Sequence, residues 1–128
     1  MAVAGSSNPP ERVATLERKL ALKGRPLEVR GAPSGLALPV RREGGPERAI
    51  LVFVRDRAEL STAAGGILES AKANRLTWVA YPKAGQLGTD LNRDSLATLL
   101  EKEGIRPVTQ VAIDETWSAL RFRPARVT

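Results

Sequence analysis

Six consecutive apolar residues, Ala49-Ile50-Leu51-Val52-Phe53-Val54, constrain the fold more than any other stretch. The run is too short for an ordinary helix and rich in β-branched side chains, so it predicts a strand. It has no polar alternation and therefore no face for water. Such strands belong to sheets covered on both sides, as parallel sheets are. Leu76 to Tyr81 predicts a second strand of the same kind.

The stretch between them reads as a helix. Asp56 suits its N-cap, with Glu59 three residues on as a capping-box partner. Leu60, Ala63, Ala64, Ile67, Leu68 and Ala71 follow at helical spacing. Gly65-Gly66 inside it predicts either a kink or close packing against the sheet. A further helix is expected from about Asn92 to Glu103, capped by Asn92 or Thr89 and favoured by Asp94 at its positive end. Leu96, Leu99 and Leu100 face its core and Gly104 ends it. Two strands follow, Pro107 to Ile113 and Trp117 to Arg123, joined by Asp114-Glu115-Thr116. A connection this short demands an antiparallel pair.

The first part of the chain is less regular. Residues 1–8 read as a disordered leader whose last residue, Asn8, caps a helix with Pro9 in its first turn. Val13, Leu16, Leu20 and Leu22 line that helix, and Gly24 is expected to stop it. Its stripe suits packing on its own domain or on a partner. Leu27 to Arg30 is a short strand running into Gly31-Ala32-Pro33-Ser34-Gly35. Glycine turns after a first strand can cradle phosphate, but Pro39 leaves no helix of useful length behind this one. Residues 37–42 read as another short strand, ending at Arg41-Arg42, which is either an anion contact or a solvated edge.

Strands alternating with helices imply right-handed parallel crossovers. The expected fold is α/β: a mixed, mostly parallel sheet of about four to six strands flanked by about three helices and ending in an antiparallel hairpin. It forms one domain over residues 9–124, with 125–128 as a tail. Ligands in open α/β sheets bind at the carboxyl ends of the strands. Four segments should meet there: Gly31-Ala32-Pro33; Arg55-Asp56; Tyr81-Pro82-Lys83 with the loop after it; and Asp114 to Trp117. The candidate ligand edge is therefore Arg55, Asp56, Tyr81, Lys83, Thr89, Asp90, Asp114 and Trp117. The same residues would also serve as the caps and turns any such fold needs. Trp78, inside an apolar run, reads as core; Trp117, at a hairpin edge, suits core or ligand equally.

Composition limits the chemistry. There is no histidine and no cysteine, which removes the commonest general base, thiol nucleophiles and zinc–thiolate sites. No metal and no cofactor is expected, and no catalytic residue is assigned. Net charge is +6, and 15 of the 20 basic residues are arginine. Such a balance attracts nucleic acid and other polyanions, although GC-rich codons would also produce it. No apolar run reaches the ~20 residues that span a bilayer. The start lacks the basic-then-apolar pattern of a secretory signal. The expectation is a cytoplasmic protein with no membrane partner.

Trp78, Ala80, Tyr81, Pro82 and Lys83, then Thr89, Asp90 and Leu91, then Asp114, Glu115, Thr116, Trp117, Ser118, Leu120, Arg121 and Phe122 form a combined pattern. It resembles the signature of an uncharacterised bacterial α/β family, a domain of unknown function, over roughly residues 12–124. That resemblance implies an α/β sheet and brings no activity with it. The expected order of elements also resembles the second half of class I methyltransferases, in which the last helix leads into a hairpin. Methyltransferases hold the cofactor ribose with an acidic residue ending the second strand. Here Arg41-Arg42 has the opposite charge.

Three functions remain open from sequence. One is a non-enzymatic binding or scaffold domain on a degenerate methyltransferase-like sheet. Another is an enzyme or sensor in which Lys83 meets an anionic small molecule or nucleotide, Asp90 and Asp114 orient a hydroxyl or exchange protons, and Tyr81 and Trp117 stack. The third is weak nonspecific nucleic-acid binding through Arg121, Arg123 and Arg126, the first two sharing a strand face.

Overall fold

The computed structural model of the protein describes residues 9–39, 48–83 and 85–125. The leader, the Asn8 cap, the Arg41-Arg42 pair and Arg126 lie outside them. The elements are α1 (Pro9–Lys19), β1 (Leu27–Arg30), β2 (Ala49–Phe53), α2 (Arg57–Lys72), β3 (Thr77–Pro82), α3 (Arg93–Glu101), β4 (Ile105–Ala112) and β5 (Trp117–Pro124), with a short 3-10 turn at Gln86–Gly88.

The five strands form one mixed sheet in the order β1-β2-β3-β5-β4. β1, β2 and β3 are parallel neighbours, while β5 runs antiparallel to both β3 and β4. The expected α/β architecture, with three helices and a closing hairpin, is therefore the one observed. More of the residue pairs lie in the antiparallel half than in the parallel half. β2 and β3 are buried at every position, as their unbroken apolar runs require.

Two apolar layers cover the sheet. On one face α2 and α3 pack Leu60, Ile67, Leu96 and Leu100 against Val52, Val79 and Leu120. On the other, Leu16 of α1 and Leu20 just beyond its end pack with Leu51, Phe53, Trp78 and Trp117. Full burial of one such side chain stabilises the fold by roughly 1.5–3 kcal/mol. α1 thus packs on its own domain. The Trp78 indole, in this second layer, donates to the Leu20 carbonyl at 3.0 Å.

Local signals fix the helix starts. The Asp56 carboxylate accepts the Glu59 amide at 2.8 Å, and the Glu59 carboxylate accepts the Arg55 amide rather than that of the cap itself. At α3, Asn92 and Ser95 form a reciprocal capping box. α2 runs unbroken through Gly65-Gly66. Gly66 faces β1, where a Cβ would displace the half-exposed guanidinium of Arg30.

Three expectations are corrected. α1 ends at Lys19, not near Gly24, because Ala21 and Lys23 turn left-handed. Leu20 and Leu22 are both fully buried, and residues two apart cannot share one helix face. Leu36 to Pro39 forms no strand; Leu36 and Leu38 pack as loop side chains against the α1-side layer. The rest of that expected strand, residues 40–42, lies outside the described residues. β4 starts at Ile105 and carries Pro107 inside it, next to a register shift. An edge strand tolerates a proline because only one side of it must pair.

Candidate functional site

The carboxyl ends of the parallel strands do come together. β3 ends at Pro82, which pairs with Trp117, and the Lys83 amide donates to the Thr116 carbonyl at 2.8 Å. The hairpin turn is thereby fixed beside the β3 exit. The Arg57 amide at the start of α2 donates to Asp90 Oδ1 at 2.9 Å, and the Arg57 side chain donates to the Asp90 carbonyl at 3.3 Å. This ties the loop ahead of α3 to the β2 exit.

Most of the candidate carboxylates and hydroxyls here are occupied. Asp56 caps α2. Thr89 Oγ1 accepts the Leu91 amide at 3.0 Å. Asp114 accepts the amides of Thr116 and Trp117 at 2.8 and 2.7 Å, which holds the hairpin turn. Trp117 is core: it is buried and meets Phe53 edge to face, with ring centroids 5.0 Å apart. Arg55 is exposed. The turn that follows β1 is tight, with Gly31 at φ +72° and its missing Cβ only 2.9 Å from the Phe53 carbonyl oxygen.

Tyr81 and Lys83 differ from the others. They line a cleft of about 700 Å³ on the α3 side of the edge, with Asn92, Arg93 and Asp94 from the start of α3 and Gln110, Ala112 and Ser118 from the hairpin. On the α1 side of the sheet Leu36 and Leu38 pack against the apolar layer. Tyr81 is only 3% exposed, and its hydroxyl is buried without a hydrogen-bond partner. Ser118 stands opposite it in the register and acts on its ionisation, but the two hydroxyls do not meet in hydrogen-bond geometry. Burial pushes the phenol pKa up, and the nearby Arg93 guanidinium acts in the opposite direction. At neutral pH the group is a protonated donor facing a cleft.

The cleft's other groups favour negative charge. The helix start is a positive dipole end. Of its orphan amides, the capping box uses those of Asn92 and Ser95, and the two residues between them line the cleft. Arg93 reaches in with Lys83. Its partner Asp94, at 3.3 Å, has a side chain 91% exposed, so water screens that pair strongly. Among the described residues no cluster of acidic side chains could hold a metal ion. None of their helices is long and apolar enough to cross a membrane.

Of the residues lining this cleft, sequence reasoning named Tyr81 and Lys83 as candidates and did not name Arg93 or Ser118. Ser118 was legible only once β5 was known to pair with β3. Arg93 had one signal, its place one residue past the Asn92 cap. No family model, curated protein or solved structure matches this chain.

Proposed function

We propose that this protein is a non-enzymatic α/β binding domain that takes a small anionic ligand in the cleft between α3 and the β3–β5 tip. The unpartnered, buried Tyr81 hydroxyl facing the cleft carries the reading. A native fold leaves few such donors unbonded, and a ligand oxygen would satisfy this one. Arg93, Lys83 and the helix start supply the matching charge. A carboxylate or a monophosphate ester fits that donor set, and the volume lies in the usual range for small-molecule sites. Binding rather than catalysis is favoured because the phenol stays protonated and no neighbouring histidine or cysteine exists to exchange a proton.

The proposal retains kinship with the bacterial family named above and descent from a methyltransferase-like sheet. Support for the latter is topological: α3 leads straight into the hairpin, whose second strand returns beside β3. It also keeps the protein in the cytoplasm.

Amide NMR titrations with inorganic phosphate and with a dicarboxylate such as succinate test the site. Saturable shifts at Arg93, Asp94 and Ser118, lost in Arg93→Gln, are expected. Shifts scattered over the surface would reject it. Tight binding of S-adenosylmethionine, abolished by Lys83→Ala or Asp56→Ala, would replace the binding-domain reading with an enzymatic one.

A further inference from the structure

The amino edge of the sheet, opposite the cleft, gathers arginines. Arg25 comes from the turn ahead of β1, Arg75 from the turn ahead of β3, and Arg121 and Arg123 from the end of β5. β5 runs antiparallel to β3, so its end lies beside the β3 start: Trp78 pairs with Arg121 and Thr77 with Phe122. The four guanidinium groups line one cavity of about 510 Å³ together with Asn74 and Leu76. No carboxylate lines it. Among the described residues none of the four arginines is in an ion pair.

Their own hydrogen bonds are few. Arg25 donates to the Ala21 and Leu22 carbonyls, each at 3.3 Å, and Arg123 donates to Asn74 Oδ1 at 3.4 Å. Arg121 Nε is buried with no partner. Arg106 stands directly opposite Arg123 in the β4–β5 register, and its Nε is buried without a partner as well. Like charges facing each other across a strand pair destabilise the sheet. Buried unbonded donors add to that cost. Burial, and then the charges of Arg123 and Arg25, push the Arg121 pKa down. The lining of this cavity is thus short of negative charge, although Arg75 also borders the neighbouring cavity that Glu28 and Glu69 line.

We propose that the amino-edge cavity binds a polyphosphate group, two or three linked phosphates on a small molecule, at a site separate from the cleft. Guanidinium forks match phosphate oxygens in pairs. Four arginines converging without a carboxylate suit a multiply charged anion better than a single carboxylate. No aromatic side chain lines the cavity, so it lacks the stacking platform on which single-stranded nucleic acid is held. Its volume also suits a small molecule.

Titration calorimetry of the full chain with inorganic tripolyphosphate at low salt tests this. One-to-one binding is expected. Arg121→Gln and Arg75→Gln should each weaken it by about tenfold or more, the effect of losing a charge-assisted hydrogen bond. Arg18→Gln, which removes the same charge from the exposed surface of α1, should change it by about twofold or less, because water and salt screen a charge there. Arg121→Gln should also unfold in urea no earlier than the parent, so its loss of binding cannot be a loss of fold. Absence of saturable binding overturns the proposal. So does an equal loss in Arg18→Gln, which would reduce the attraction to net charge. A short RNA that binds in an Arg121-dependent way and is not displaced by tripolyphosphate would overturn it in favour of nucleic acid.

Discussion

Replacing Tyr81 with phenylalanine should stabilise the ligand-free protein while weakening the ligand complex. The side chain is 3% exposed and its hydroxyl has no hydrogen-bond partner. A hydroxyl taken out of water without a partner costs about 1–3 kcal/mol. Deleting it recovers part of that and leaves a void of only one oxygen atom, so a net gain of about 1 kcal/mol is expected. For a chain of this length that is roughly 3–6 °C in melting temperature. Urea unfolding followed by the fluorescence of the two buried tryptophans, Trp78 and Trp117, measures it. Tyr81 is the single tyrosine in the sequence, so its ionisation can be read directly by ultraviolet absorbance in the folded parent. The folded phenol titrates above its ordinary value, chiefly through burial. Between the unfolded and folded pKa the unfolded chain releases the proton first. Stability should thus be full below about pH 10 and decline as pH rises toward the folded value, and Tyr81→Phe should lack that decline. A phenylalanine variant less stable by about 1 kcal/mol or more would refute the reasoning. It would mean that the hydroxyl is bonded, to Ser118 or another group, and is no free donor.

Other perturbations test the frame around the site. Gly31→Ala should cost more than Gly85→Ala in urea unfolding: both backbones are left-handed, but only Gly31 would press a Cβ within 2.9 Å of a carbonyl oxygen, whereas Gly85 has open space. The Gly85 change should cost about 1–2 kcal/mol, the price of the conformation alone. Asn92→Ala removes the side-chain half of the α3 capping box and should cost about 1 kcal/mol, with Asn92→Gly costing less. The Glu28 carboxyl is held below its ordinary pKa, first by the hydrogen bond from Arg30. Its contribution should be present above the unfolded pKa and fade as pH falls through the lower folded one. Glu28→Gln should remove that part of the acid dependence, as read by unfolding at a series of acidic pH values.

What the sequence determined was whatever depends on neighbours in the chain. The apolar runs at Ala49 and Leu76 specify strands buried on both faces, because they offer water no side. Asp56, Asn92 and Gly104 punctuate helices through hydrogen bonds and backbone angles that span three or four residues. The four residues joining β4 and β5, Ile113 to Thr116, leave no geometry but an antiparallel turn. They also show why several candidate residues were ambiguous: Asp114 and Thr89 look alike as turn formers and as site residues, and here both bond nearby amides. What only the tertiary structure decided was strand order and side. β5 lies between β3 and β4, and that single choice sets Ser118 against Tyr81, Arg121 beside Trp78 and Arg106 against Arg123. Packing of α3 on one face then sets its start beside the β3–β5 tip, where the cleft opens. Pairing and layer packing join residues dozens of positions apart, and their energy depends on all the surfaces buried together. No local pattern encodes it, so the cleft and the arginine-lined cavity, the two proposed anion sites, come into view only when the sheet is assembled.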